Sequence, residues 1–193
     1  MDLYVAGAWT TPPVRVWPDG DRLMVEADEG SDAWRHTSYG FVHDDAHALL
    51  APLSESEAVE VSFVLDFDRQ FDQAGVMIRV DDATWIKAGV EVSDGSPQVG
   101  AVVTRGASDW SVAPVPDWAG REVTIRASRD GDAVTIRARS EGEDFRLVRL
   151  APLDPHAPVQ AGPFCCAPTR AGLTVRFLDV TVGEADESLH PED

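Results

Sequence analysis

Basic residues are scarce in this chain. Sixteen Lys and Arg stand against thirty-four Asp and Glu, for a formal charge of −18. A polyanion is repelled by phosphate backbones and anionic lipid headgroups, which argues against nucleic acid and membrane surfaces as partners. Cysteine is limited to the adjacent Cys165 and Cys166. Neighbouring cysteines rarely bridge each other, and two are too few for a zinc site without further ligands. They read as strand residues in a reducing compartment, one packed and the other less so. The longest apolar runs, such as Ala48-Leu49-Leu50-Ala51, are too short to cross a membrane. Met1-Asp2-Leu3-Tyr4 lacks a basic region followed by an apolar stretch, so no Sec-type signal is read and the cytoplasm is the expected address. GxSxG, HExxH, GxGxxG, CxxC and the phosphate-binding P-loop string are all missing. Helical periodicity is nearly missing too.

Period-two alternation takes its place. Val59, Val61, Phe63, Leu65 and Phe67 are apolar, with Glu60, Ser62 and Asp66 between them. Ala74, Val76, Ile78 and Val80 oppose Gln73, Met77 and Arg79. Ile86, Ala88, Val90 and Val92 oppose Trp85, Lys87, Glu91 and Ser93. Such segments are strands with one face buried. Asp19-Gly20, Asp94-Gly95 and Asp130-Gly131 sit between alternating runs, where both residue types tolerate the positive φ of a tight hairpin. A dozen such strands without crossover helices predict an all-β antiparallel sandwich. Near the end the apolar phase slips from Leu173, Val175 and Phe177 to Leu178, Val180 and Val182, which predicts a bulge. The 193 residues suit one domain, spanning 1–182, followed by a frayed acidic tail over 183–193. Asp66, Asp68 and Asp72 lack the pattern of a calcium loop and read as an acid-rich hairpin approach. No metal and no cofactor is expected.

The face opposite the core carries the chemistry. Gln73, Arg79, Trp85, Lys87 and Glu91 share it, followed by Thr104, Arg105, Asp109 and Trp110. Two tryptophans among fixed polar groups are what a small polar ligand requires, and an indole stacks on the C–H face of a sugar ring. The cluster from Asp32 to Phe41 is dense in aromatics and donors. It reads as a loop folded over the sheet, with Trp34, Thr37 and Tyr39 as a rim. His36 and His47 are the histidines of chemical interest, while His43, His156 and His190 read as loop residues.

These segments carry a resemblance. The string from Asp72 to Arg79, then Trp85 to Glu91, Val102 to Arg105 and Ser108 to Ser111, is similar to the regulator-of-enolase-like family of unknown-function domains. Trp34 to Phe41, Gly162-Pro163-Phe164 and Phe177 match more loosely, and the likeness runs over residues 9–182. That family lies in the concanavalin A-like lectin and glucanase superfamily. The resemblance implies a jelly roll of two sheets, one concave, in a fold whose concave face often holds carbohydrate. Three functions stay open. The first is carbohydrate recognition, with Trp85 and Trp110 as stacking plates. The second is a glycosidase or lyase using Glu91 and Asp109. The third is a regulator that binds a metabolic enzyme such as enolase.

Overall fold

The alternating segments pair as antiparallel strands in a computed structural model that describes residues 7–190. In chain order they are β1 (Ala8–Trp9), β2 (Arg15–Asp19), β3 (Arg22–Glu26), β4 (Ala33–Arg35), β5 (Val42–Asp44), β6 (His47–Pro52), β7 (Glu57–Val64) and β8 (Gln73–Asp81). Then follow β9 (Thr84–Ser93), β10 (Ser96–Arg105), β11 (Ala107–Pro114), β12 (Glu122–Asp130), β13 (Ala133–Ser140), β14 (Arg146–Pro152), β15 (Gln160–Cys166) and β16 (Thr174–Glu184). One 3-10 turn, Pro116–Trp118, interrupts them. Two seven-stranded sheets result, in the orders β1-β6-β15-β8-β9-β10-β11 and β14-β13-β12-β7-β16-β3-β2, with β4 and β5 as a separate hairpin.

For β7, β8 and β9 the expected faces are the observed ones. Val59, Val61 and Phe63 of β7, Val76 and Ile78 of β8, Ile86, Ala88 and Val90 of β9, and Ile125, Ile136 and Phe177 fill the space between the sheets. Burial of each such side chain stabilises the fold by about 1.5–3 kcal/mol. The three Asp-Gly pairs form the β2–β3, β9–β10 and β12–β13 turns. Asp94 and Gly95 both take positive φ, 53° and 77°, as a two-residue hairpin turn demands. The late phase slip is a register shift in β16 between Phe177 and Asp179.

Three expectations are corrected. The acidic stretch Asp66–Asp72 is a crossover from one sheet to the other, since β7 and β8 lie in different sheets. Its Asp72 is fully buried against Arg170, with Nη2 2.5 Å from Oδ2. The tail is not frayed over its described part. β16 runs to Glu184, and Asp186 then docks across neighbouring strands of the same sheet by pairing with Arg126 of β12 and Arg137 of β13, so the chain is pinned rather than free. Met1–Tyr4 and the last three residues lie outside the described residues. Both cysteines are wholly buried, Cys165 between the sheets and Cys166 on the outer side of the first sheet.

The first sheet is creased across its strands. Register places Phe164, Gly75, Gly89, Gly100 and Val112 side by side on β15, β8, β9, β10 and β11. All lie on the face away from the core. A Cβ on Gly75 would stand 2.6 Å from the Cα of Gly89, and one on Gly89 would stand 2.9 Å from the Cα of Gly75. Neighbouring backbones thus lean together on this face, making it concave, and only glycine leaves them room. Gly89→Ala is expected to lower unfolding free energy by about 1–3 kcal/mol or more, read as a drop in the urea midpoint. An unchanged midpoint would mean that the crease relaxes without cost.

Candidate functional site

Four rows of side chains cross the concave face, set by strand register. The first is Arg79, Trp85, Thr104 and Ser108. The second is Met77, Lys87, Val102 and Trp110. The third is the glycine row, and the fourth is Gln73, Glu91 and Gln98. The β4–β5 hairpin covers the first row. Arg79 makes a two-pronged bond to Asp44, at 2.7 and 2.8 Å, and Nη2 reaches Asp82 at 2.6 Å. The Arg35 amide donates to Ser108 Oγ at 2.9 Å, and Ser108 Oγ bonds Thr104 Oγ1 at 2.8 Å. Trp85 is left 2% exposed beneath this lid, in a small second core with Ala33, Trp34, Met77, Val102 and Phe164. Arg79, Trp85 and Thr104 therefore hold the hairpin down and do not face a ligand.

The next rows stay open. A cavity of about 350 Å³ lies between them and the hairpin, walled by Trp34, Tyr39, Phe41, His43, Phe71, Trp110 and Pro168, with Asp32, Gln73, Lys87 and Glu91 at its base. That volume suits a one- or two-ring ligand. Trp110 is 38% exposed and Tyr39 59%. Trp34 meets Trp110 edge-on at 6.4 Å, while Tyr39 and Phe41 stack at 5.3 Å. Phe71 reaches the wall through a positive φ of 65°. The Asp72–Arg170 pair and a 2.6 Å bond from Thr169 Oγ1 to the Gln70 carbonyl fix the Phe71 and Pro168 side.

The base is ionic. Lys87, the single lysine of the chain, donates 2.8 Å hydrogen bonds to Asp32 Oδ1 and Gln73 Oε1. Asp32 Oδ1 also accepts from the Ala33 amide at 2.7 Å, and the Cys166 thiol lies 3.8 Å away. Burial disfavours both charges, but their mutual attraction outweighs it, so Lys87 is held protonated and the Asp32 carboxyl is held down. Glu91 differs. Burial raises its carboxyl to about 7, Lys87 pulls it back only in part, and Asp32 adds repulsion.

Of the residues expected at the site, Trp34, Tyr39, Gln73, Lys87, Glu91 and Trp110 meet in the cavity. Thr37 does not: its backbone carbonyl accepts the Trp34 indole N–H at 2.9 Å. Arg105 and Asp109 are corrected as well. Asp109 pairs with Val103 in the register, so it points to the core side, where Arg149 Nη2 holds it at 2.8 Å. Arg105 lies in the same phase and bonds the Pro152 carbonyl. Glu91 and Asp109 thus occupy opposite faces of one sheet and cannot flank a single bond. His47 is structural: Nε2 accepts the Asp28 amide at 2.9 Å, and Nδ1 lies 3.1 Å from the Thr11 carbonyl. His36 is outside the wall, whereas His43, expected in a loop, sits on β5 and lines it. Asp32, Phe41 and Phe71 complete the site. Asp32 had a signal in the sequence: a lone lysine on a half-buried strand needs a carboxylate from elsewhere in the chain. Among the described residues no cluster of His, Cys, Asp and Glu is arranged to hold a metal, and no helix is long and apolar enough to cross a membrane.

A β-sandwich with a lidded concave face is the class that fold and site define together. Within it, the chain belongs to the family described as "Protein of unknown function (DUF1349)", matched over residues 9–185. It is 36% identical over 173 residues to "Regulation of enolase protein 1" of Saccharomyces cerevisiae, covering 90% of this chain and 87% of that protein. A crystal structure of a functionally unknown protein from Saccharomyces cerevisiae superposes with a TM-score of 0.88 at 34% identity, over 95% of this chain and 98% of that one. The metal-free form of lectin I-B4 from Griffonia simplicifolia superposes at 0.61 and 12% identity, over 94% of each chain, which bears on the fold alone.

Asp32→Asn leaves the Lys87 charge buried without its partner. It is expected to cost about 3–5 kcal/mol of stability by chemical denaturation, with much of the loss recovered by adding Lys87→Met. An additive double variant would show that the two charges are not coupled. Glu91 carries the opposite pH signature. A raised carboxyl stabilises the folded state most below its unfolded value of 4.5 and loses that contribution as pH climbs through about 7. Glu91→Gln is therefore expected to melt a few degrees above wild type at pH 8, with the gap closing by pH 5. A gap independent of pH would contradict this.

Proposed function

We propose that the cavity under the β4–β5 hairpin is a binding site for a carbohydrate or similar small polar ligand. The observation that carries this reading is the pairing of a half-exposed indole, Trp110, with an organised polar base of Lys87, Asp32 and Gln73 in one cavity of about 350 Å³. A core needs no such arrangement. Burying the chain's one lysine costs several kcal/mol in desolvation, which packing alone does not repay. An open aromatic wall over fixed hydrogen-bonding groups supports recognition of a ring with one apolar face and several polar edges. Binding is favoured over hydrolysis, because a glycosidase needs two carboxylates free to act across the scissile bond; Asp109 is not on this face, and Asp32 is held by Lys87.

A second reading, docking on a metabolic enzyme, is favoured by the name of the yeast relative and by one feature of the rim. Tyr39, Phe41 and Val42 at the hairpin tip are exposed and adjacent, which gives a protein partner an apolar anchor.

Isothermal titration against a panel of neutral hexoses, hexosamines and disaccharides tests the first reading. At least one sugar is expected to bind below millimolar and to quench tryptophan fluorescence. Trp110→Ala is expected to weaken that binding by about tenfold or more, in line with the 1–3 kcal/mol of a lost ring-stacking contact. Affinity unchanged by Trp110→Ala would remove the site.

A further inference from the structure

The unpaired acceptors of the cavity gather at its base. Lys87 spends two of its three protons on Asp32 and Gln73. The Gln73 amide donates to the Phe71 carbonyl at 3.2 Å. The Trp34 indole N–H is taken by Thr37, and the Thr169 hydroxyl by Gln70. By contrast, among the described residues neither oxygen of Glu91 accepts a hydrogen bond, and Asp32 is engaged only through Oδ1. Both side chains border the cavity. With Glu91 ionised, the base holds two carboxylates and one ammonium, a net charge of −1, within a chain of formal charge −18. The wall above is aromatic on several sides, from Trp34, Tyr39, Phe41, Phe71 and Trp110. Aromatic faces carry negative potential and attract a cation that has lost its water. An acidic chain also concentrates small cations at such a cleft.

We propose that the ligand of this cavity carries a protonated amine, as a hexosamine does, seated against Glu91 and the free oxygen of Asp32. This rests on the reading of the cavity as a site for a sugar-like ligand and narrows it to the aminated class. The ammonium supplies donors to these open carboxylate oxygens, and Glu91 supplies the charge. Other groups facing Glu91 are few. Gln73 of β8 and Gln98 of β10 pair with it in the register and are neutral. Lys87 lies four residues away on the same face of its own strand, Asp32 comes from the loop before β4, Cys166 from β15 and His43 from the hairpin. Lys87 is already matched by Asp32, so Glu91 is the carboxylate without a counter-charge. Burial holds its carboxyl at about 7, so an arriving cation drives off its proton.

The test compares D-glucosamine, D-glucose and N-acetyl-D-glucosamine, with the corresponding galactose and mannose sets, by isothermal titration at pH 7. Wild type and Glu91→Gln are run side by side. Both are first checked for cooperative melting, and the variant is expected to be at least as stable as wild type. An aminated sugar is expected to bind about tenfold or more tightly than its neutral counterparts. Binding is expected to release about half a proton in buffers of differing ionisation enthalpy. Both the preference and the proton release are expected to vanish in Glu91→Gln. Equal or tighter binding of the neutral sugars overturns the inference and leaves the carbohydrate reading in place. Amine preference that survives Glu91→Gln with its proton release intact overturns the role given to Glu91. Absence of binding by every sugar, aminated or not, overturns both.

Discussion

The buried pair between Lys87 and Asp32 holds the concave side of the molecule together. One partner rises from the middle of a central strand, and the other hangs from the loop that leads into the hairpin lid. An ammonium in that position is tolerable only with a carboxylate beside it, so the lid is drawn onto the sheet electrostatically as well as by packing. Arg79 clamps Asp44, which pairs with Ala33 on the other strand of the same hairpin. Between the two clamps Trp85 is sealed from water, and beyond them the sheet stays open as a cavity. The position of the pair therefore decides which part of one face becomes core and which part becomes site.

Backbone geometry prepares this arrangement. Three glycines on adjacent strands crease the sheet, with Lys87 on one side of the crease and Glu91 on the other. A side chain in that row would flatten the trough and fill it. The two ionisable groups then feel different surroundings despite being only four residues apart on one strand face. Lys87 has a carboxylate and an amide within bonding distance, while Glu91 has buried surroundings and, among the described residues, no hydrogen-bond donor. Two neighbouring groups with opposite tendencies give the cavity a fixed charge and a movable proton.

Much of this was legible from residue order. Alternation assigned Trp85, Lys87 and Glu91 to one face and Ile86, Ala88 and Val90 to the other, since a strand has a strict period of two. Asp-Gly pairs marked three hairpins, and the phase slip near Phe177 marked the bulge. Alternation also fixes the face of Asp109, but only relative to its partner strand. The turn at Gly106 sets that register, and from the sequence alone the residues of β11 could be placed on either side. What a lid covers is not encoded by period at all. Trp85 and Trp110 look equivalent in the sequence, yet one is interior and the other open because the β4–β5 hairpin reaches only one of their rows. The Lys87 to Asp32 contact spans fifty-five positions, so no local pattern announces it. The acidic tail was misjudged for a similar reason: Asp186 meets Arg126 and Arg137 only once β12 and β13 stand side by side.

A chain with one lysine offers a direct probe of the pair and the cavity together. Protein labelled with ¹⁵N and ¹³C only in lysine gives a single ε-ammonium signal by NMR. The account predicts a signal that stays protonated beyond the ordinary lysine range, held there by Asp32 against the pull of burial, exchanges slowly with water and shifts when a bound sugar fills the cavity. A signal that loses its proton near neutrality, as an unpartnered buried lysine does, and stays in place when sugar is added would contradict it.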